Sequence, residues 1–224
     1  MRAERRRWLR LPGALIALQV MGLRQALAAG SVQKGLHRVR GDVRVNGAPA
    51  KEGMEIRAGD VITTGADGEA VFVSDKDAFL VRANSRVEAQ GATAGGLLLS
   101  GLRVVTGAVL SVFTPGAPKT LRTPTATIGI RGTGVYLEIE PSRTYVCTCY
   151  GEADIASVMD PSARETVRTS HHEQPRYVMG AGAPQMLMGA PVVNHTDAEL
   201  TMLESLVGRR PPFVDRPGYQ PGRY

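Results

Sequence analysis

Only two of the 224 residues are cysteine, and both fall in the short stretch "YVCTCYG", as Cys147 and Cys149. A framework of several disulfides, the usual support of small secreted domains, is thereby excluded. Aromatic residues are scarce at 5%, so Val, Leu and Ile must fill any core. No apolar run reaches the roughly 20 residues needed to span a bilayer. Neither G-x-S-x-G nor H-E-x-x-H occurs, which removes the local signatures of serine hydrolases and zinc peptidases. The carboxylates Glu152 and Asp154 share a strand face beside a glycine turn and are expected to face solvent. The chain is therefore read as non-enzymatic.

Excess charge is also lacking where it would matter. The formal net charge is +6, but six arginines and one glutamate lie in residues 1–28, leaving 21 basic and 20 acidic residues beyond. A nucleic-acid surface needs an excess of Lys and Arg on the folded part, so no nucleic-acid partner is expected. Those first 28 residues read as a signal peptide, with a basic start, the uncharged run "LPGALIALQVMGL" and small residues at Ala26 and Ala28. The run Arg5-Arg6-Arg7-Trp8-Leu9-Arg10 resembles a twin-arginine export motif. A periplasmic or secreted location follows, with no transmembrane helix in the mature chain.

From Gly35 to about Met159 the apolar period is two. "DVRVNG" alternates and turns at Asn46-Gly47, and "MEIRAGDVITTGADGEAVFVSD" suggests strands at Met54–Arg57, Asp60–Thr64 and Glu69–Ser74. Short β-rich runs punctuated by Gly or Asp argue an all-β sandwich, roll or short solenoid of many short strands. One C-terminal helix is expected in "NHTDAELTMLESLVG". Thr196 and Glu199 make a capping box, Leu200, Leu203, Leu206 and Val207 an apolar stripe, and Gly208 a stop. His195 precedes this helix, and His37 lies at the domain entrance.

Three motifs carry a family resemblance. One is "GDVITTG", with Gly59, Asp60, Thr64 and Gly65. The second is the strand ending in a glycine turn at Val104 to Gly107. The third is "TPTATIGIRGT", with Arg131, Gly132 and Thr133. Together they resemble the FecR domain over residues 35–158. The resemblance implies an all-β extracytoplasmic binding module, engaged in ligand or protein recognition in periplasmic sensing or an envelope process. Ten residues precede the apolar run, so the family's sigma-binding and membrane-spanning parts are not carried over. The partner is a protein or small ligand that the sequence does not name. The glycines of "IGIRGTG" are followed by a strand, whereas a phosphate loop needs a helix start. A structural bend is expected there, with Arg131 pairing a carboxylate.

Residues 159–180 read as a β-hairpin extension, 181–208 as a Gly/Pro loop and the helix, and 209–224 as a disordered tail. In a strand, Tyr145, Cys147 and Cys149 share one side and Val146, Thr148 and Tyr150 the other. Three roles compete for the cysteines: core packing, a strained disulfide across about 6.6 Å of Cα separation, or a metal or redox site. The hairpin returns His171 and His172 toward them. Cys147, Cys149, His171 and His172 are the candidate ligands of Zn or Cu, with Met179, Met186 and Met188 as soft ligands copper would accept.

Overall fold

Alternation of apolar and polar residues becomes strand after strand in the structure, a computed structural model that describes residues 32–116 and 118–220. The proposed signal peptide lies outside the described residues. The first seven strands are β1 (Gly35–Arg40), β2 (Val43–Val45), β3 (Ala48–Pro49), β4 (Val61–Thr64), β5 (Glu69–Ser74), β6 (Asp77–Val81) and β7 (Arg86–Gln90). Then come β8 (Gly101–Val112), β9 (Lys119–Arg122), β10 (Ala126–Glu140), β11 (Arg143–Ser157), β12 (Arg164–Thr169), β13 (Arg176–Met179) and β14 (Leu187–Gly189). One helix, α1 (Asp197–Leu206), follows. The protein is mostly β, with a single helix among the described residues near the C-terminus, as the periodicity indicated.

All fourteen strands belong to one open sheet. Pairing is antiparallel except between β8 and β9. The long strands change neighbours part-way. β10 pairs β9 through Thr127–Ile130 and β8 through Gly134–Ile139. β11 pairs β13 through Arg143–Val146 and β12 through Gly151–Ala156. The hairpin that carries the histidines is therefore part of the main sheet. Met54–Arg57 does not form a strand. Asp60 accepts the Arg57 N–H at 2.7 Å, and the Asp60 N–H bonds the Arg57 carbonyl at 3.0 Å. That local turn takes the groups a strand would have used.

The sheet has two apolar faces. The first cluster runs from Leu36 to Val178 and includes Ile62, Phe72, Leu102, Ile128 and Val146. The second contains Val71, Leu80, Leu110, Tyr136, Tyr145, Cys147 and Cys149, and α1 covers it with Leu200 and Leu203. Thr196 caps α1 reciprocally with Glu199, worth about 1 kcal/mol. Gly208 follows in the left-handed region at φ 71°, which lets the chain turn back. Residues 209–224 were expected to be a disordered tail, but within its described part Phe213 is fully buried in the second cluster. An aromatic ring with an apolar niche to fill outweighs the loop-forming prolines around it.

Candidate functional site

The site begins with a break in alternation on β11. Val135 pairs Thr148, but Gly134 pairs Tyr150, so Cys149 is an extra residue on its strand. This bulge changes which side the following residues face. Tyr145, Cys147 and Cys149 line the second face as the period predicts, but Tyr150 joins them instead of facing away. Gly134 makes room for it: a Cβ there would lie 2.5 Å from the Tyr150 ring. The two cysteines are free thiols, both fully buried.

His171 and His172 occupy the turn that follows β12, and His172 adopts a positive φ of 59°. Its N–H donates to the Cys149 carbonyl at 2.9 Å, which seats this turn on the bulge. His172 Nδ1 lies 3.4 Å from Cys147 Sγ. A fourth group arrives from the loop ahead of α1, where His195 Nε2 stands 3.0 Å from His172 Nδ1. Cys147, Cys149, His172 and His195 bring their ligand atoms within 4.8 Å of one another, all buried. In a tetrahedral zinc centre with bonds of about 2.0–2.3 Å, ligand atoms are about 3.3–3.8 Å apart, so binding would open the 3.0 Å His172–His195 separation and draw the wider ones in.

The second ring nitrogens fix the tautomers. His195 Nδ1 is 2.7 Å from the Val193 carbonyl, which can only accept, so Nδ1 carries the hydrogen. His172 Nε2 is 3.1 Å from Asp197 Oδ1, and the carboxylate likewise accepts. In their neutral forms both imidazoles therefore aim lone pairs toward the sulfurs and toward each other. Such an arrangement is met by a hydrogen shared with Cys147 or by a metal ion among the four atoms. Orientation of ligating histidines by a carboxylate or carbonyl behind them is the usual support of metal centres. His195 is further held by stacking on Tyr136, with centroids 4.6 Å apart.

The predicted ligand His171 is not among the four. Its Nε2 donates to both Asp197 oxygens, at 2.9 and 3.0 Å. Both rings reach Asp197, with centroids 4.9 Å apart, but only His172 brings its other nitrogen to the sulfurs. His171, His172 and Asp197 make a second convergence that shares His172. Asp197 is buried at the first turn of α1, where the helix dipole favours its charge. Of the methionines, Met188 is exposed, and Met179 and Met186 pair by backbone at 2.8 Å across the β13–β14 hairpin.

Electrostatics separates the two thiols. Burial raises Cys147, but hydrogen bonds with Cys149, His172 and His195 outweigh it and hold this thiol well below its ordinary range. Burial, and then the neighbouring Cys147, push Cys149 well above it. Burial lowers His172, yet its contacts with Cys147 and Asp197 raise it overall. A thiolate is the form that binds metal, and Cys147 already favours it.

No family model matches the chain, and no curated protein does. Two crystal structures of an anti-sigma-factor candidate from Parabacteroides distasonis, at 1.65 and 2.50 Å resolution, resemble it in backbone arrangement. Their TM-scores are 0.45 and 0.46, each at 12% identity. The first match covers 58% of this chain and 58% of that one, and the second 63% and 71%.

The remaining motif residues build loops and bulges. Asp60 also accepts from Asn46 at 2.7 Å, beside Gly59 at φ 98°. Buried Thr64 donates to the Arg82 carbonyl at 2.6 Å, and the Gly65 N–H reaches the Asp42 carbonyl at 2.8 Å. Arg131, Gly132 and Thr133 form a second bulge on β10. Arg131 is exposed and pairs with Asp154 at 3.2 Å. Gly132 has φ 65° against Pro115, and Thr133 bridges the Glu152 backbone at 2.7 and 3.2 Å. Glu152 and Asp154 engage Arg168 and Thr166, each at 2.6 Å, in an outer polar ladder.

Proposed function

We propose that this chain is a non-enzymatic, exported recognition module of the FecR type that binds one Zn²⁺ through Cys147, Cys149, His172 and His195. The observation that carries the metal assignment is the pair of oriented imidazoles. Val193 and Asp197 hold the outer nitrogens, so both inner nitrogens face two buried sulfurs. Two thiolates and two imidazoles are a structural zinc set. A catalytic zinc keeps a position open to water or substrate, whereas all four donors here are buried. The ion is thus part of the scaffold, and recognition belongs to other surfaces of the sheet. No helix among the described residues is long and apolar enough to cross a membrane.

Metal analysis of protein purified without oxygen or chelators tests the assignment. One zinc per chain is expected, absent from Cys147→Ser and His195→Ala and retained by His171→Ala. A wild-type protein that stays metal-free in zinc-containing buffer, or that retains copper in preference to zinc, would overturn it. Export is tested on the periplasmic fraction by N-terminal sequencing, where a start near residue 29 is expected.

A further inference from the structure

The four donors come from three places with unequal anchorage. Cys147 and Cys149 sit on β11, which is hydrogen-bonded along both edges to β10, β12 and β13. His172 is tied to that strand by its own N–H. His195 alone comes from the C-terminal segment, residues 190–219, which contributes no strand to the sheet. Beyond the Ala190 N–H bond to the Pro175 carbonyl at 3.0 Å, that segment is held by side chains. Leu200, Leu203, Val207 and Phe213 lie in the second apolar cluster over Val71, Val73, Leu80 and Leu110. Arg82 pairs with Glu199 at 2.8 Å, and buried Glu204 accepts from the Tyr150 hydroxyl. The first cluster contains no residue of this segment and none of the four donors.

We propose that the metal centre is a clasp: the bound ion fastens the 190–219 segment over the second apolar face, and its loss releases that segment while the rest of the sheet stays folded. This rests on the zinc assignment above. The ion joins His195 to three donors on or beside β11, and its loss removes that link, leaving hydrogen bonds among the same four side chains in its place. The element that can move at least cost is the one joined to the sheet by apolar packing and scattered polar contacts rather than by a strand ladder. Local opening of such a unit, without global unfolding, is ordinary behaviour for segments outside the main hydrogen-bonded network. The face uncovered is apolar and continuous across β5, β6, β8 and β10. Metal occupancy therefore sets whether this module presents a polar cover or an apolar sheet.

Hydrogen exchange read by mass spectrometry tests the clasp on the full mature chain, zinc-loaded and chelated, with metal measured in the same samples. Chelation should accelerate exchange at amides of residues 195–208 by at least about tenfold, leave β1–β4 and β7 unchanged, and raise the fluorescence of an apolar dye. Cys147→Ser and His195→Ala, both lacking metal, should show the chelated pattern. Unchanged exchange in the segment after verified metal loss would overturn the clasp and leave the zinc assignment standing. So would uniform acceleration across the sheet, or a response in His195→Ala with none in Cys147→Ser. A wild-type chain that takes up no zinc would remove both.

Discussion

Replacing Asp197 by alanine separates a ligand from a residue that positions one. Asp197 Oδ1 accepts from His172 at 3.1 Å, and the two oxygens hold His171 at 2.9 and 3.0 Å. Removing the carboxylate takes away the acceptor that keeps the His172 hydrogen on Nε2 and the Nδ1 lone pair on the metal. Loss of such support typically weakens a metal site by about 10–100-fold, or about 1.4–2.7 kcal/mol. The helix loses a first-turn carboxylate as well, about 0.3–1 kcal/mol, which appears in stability and not in stoichiometry. Titration against a chromophoric chelator, under anaerobic reducing conditions, should give one zinc per chain with a dissociation constant raised within that range. Asp197→Asn keeps an acceptor oxygen and should lose less. An unchanged constant would refute the positioning role, and abolished binding would make Asp197 a ligand.

Other perturbations probe the surrounding structure. Gly134→Ala places a methyl group 2.5 Å from the Tyr150 ring, and should cost about 1–3 kcal/mol in denaturant unfolding while loosening the Glu204 contact. His171→Ala should change zinc affinity by less than about threefold, because it removes a neighbour of Asp197 and no metal ligand. Glu173 is pulled down from 4.5 to about 2, first by the Ser170 hydroxyl and then by the Ser170 and Thr169 contacts that outweigh its burial. Its lowered folded value means that it stabilises above the unfolded value and loses that effect as pH falls through the folded one. In the metal-free protein, Glu173→Gln should therefore be less stable than wild type above about pH 4.5, with the difference shrinking as pH falls toward 2 and vanishing below it, by urea unfolding at each pH.

Strand character was legible because apolar alternation is local, and so was the capping box, which needs only Thr196 and Glu199. The shared face of Cys147 and Cys149 followed from the strand period alone. What followed Cys149 did not, since a bulge is decided by the partner strand, here by the room at Gly134 for the Tyr150 ring. Sequence order favoured His171 and His172 together, but the positive φ at His172 sends the two rings to different duties. His195 was missed because a Gly/Pro-rich loop and two short strands intervene. One signal was present: a histidine directly before the cap of an amphipathic helix is carried onto the sheet when that helix docks. Phe213 shows the same lesson in the tail, where composition suggested disorder and one aromatic ring found a buried place.

X-ray absorption at the zinc edge tests the central claim most directly. The account predicts two sulfur neighbours at about 2.3 Å and two nitrogen neighbours at about 2.0–2.1 Å, with no bound zinc in His195→Ala and an unchanged shell in His171→Gln. A first shell of oxygen and nitrogen only, or one unchanged by loss of His195, would contradict it.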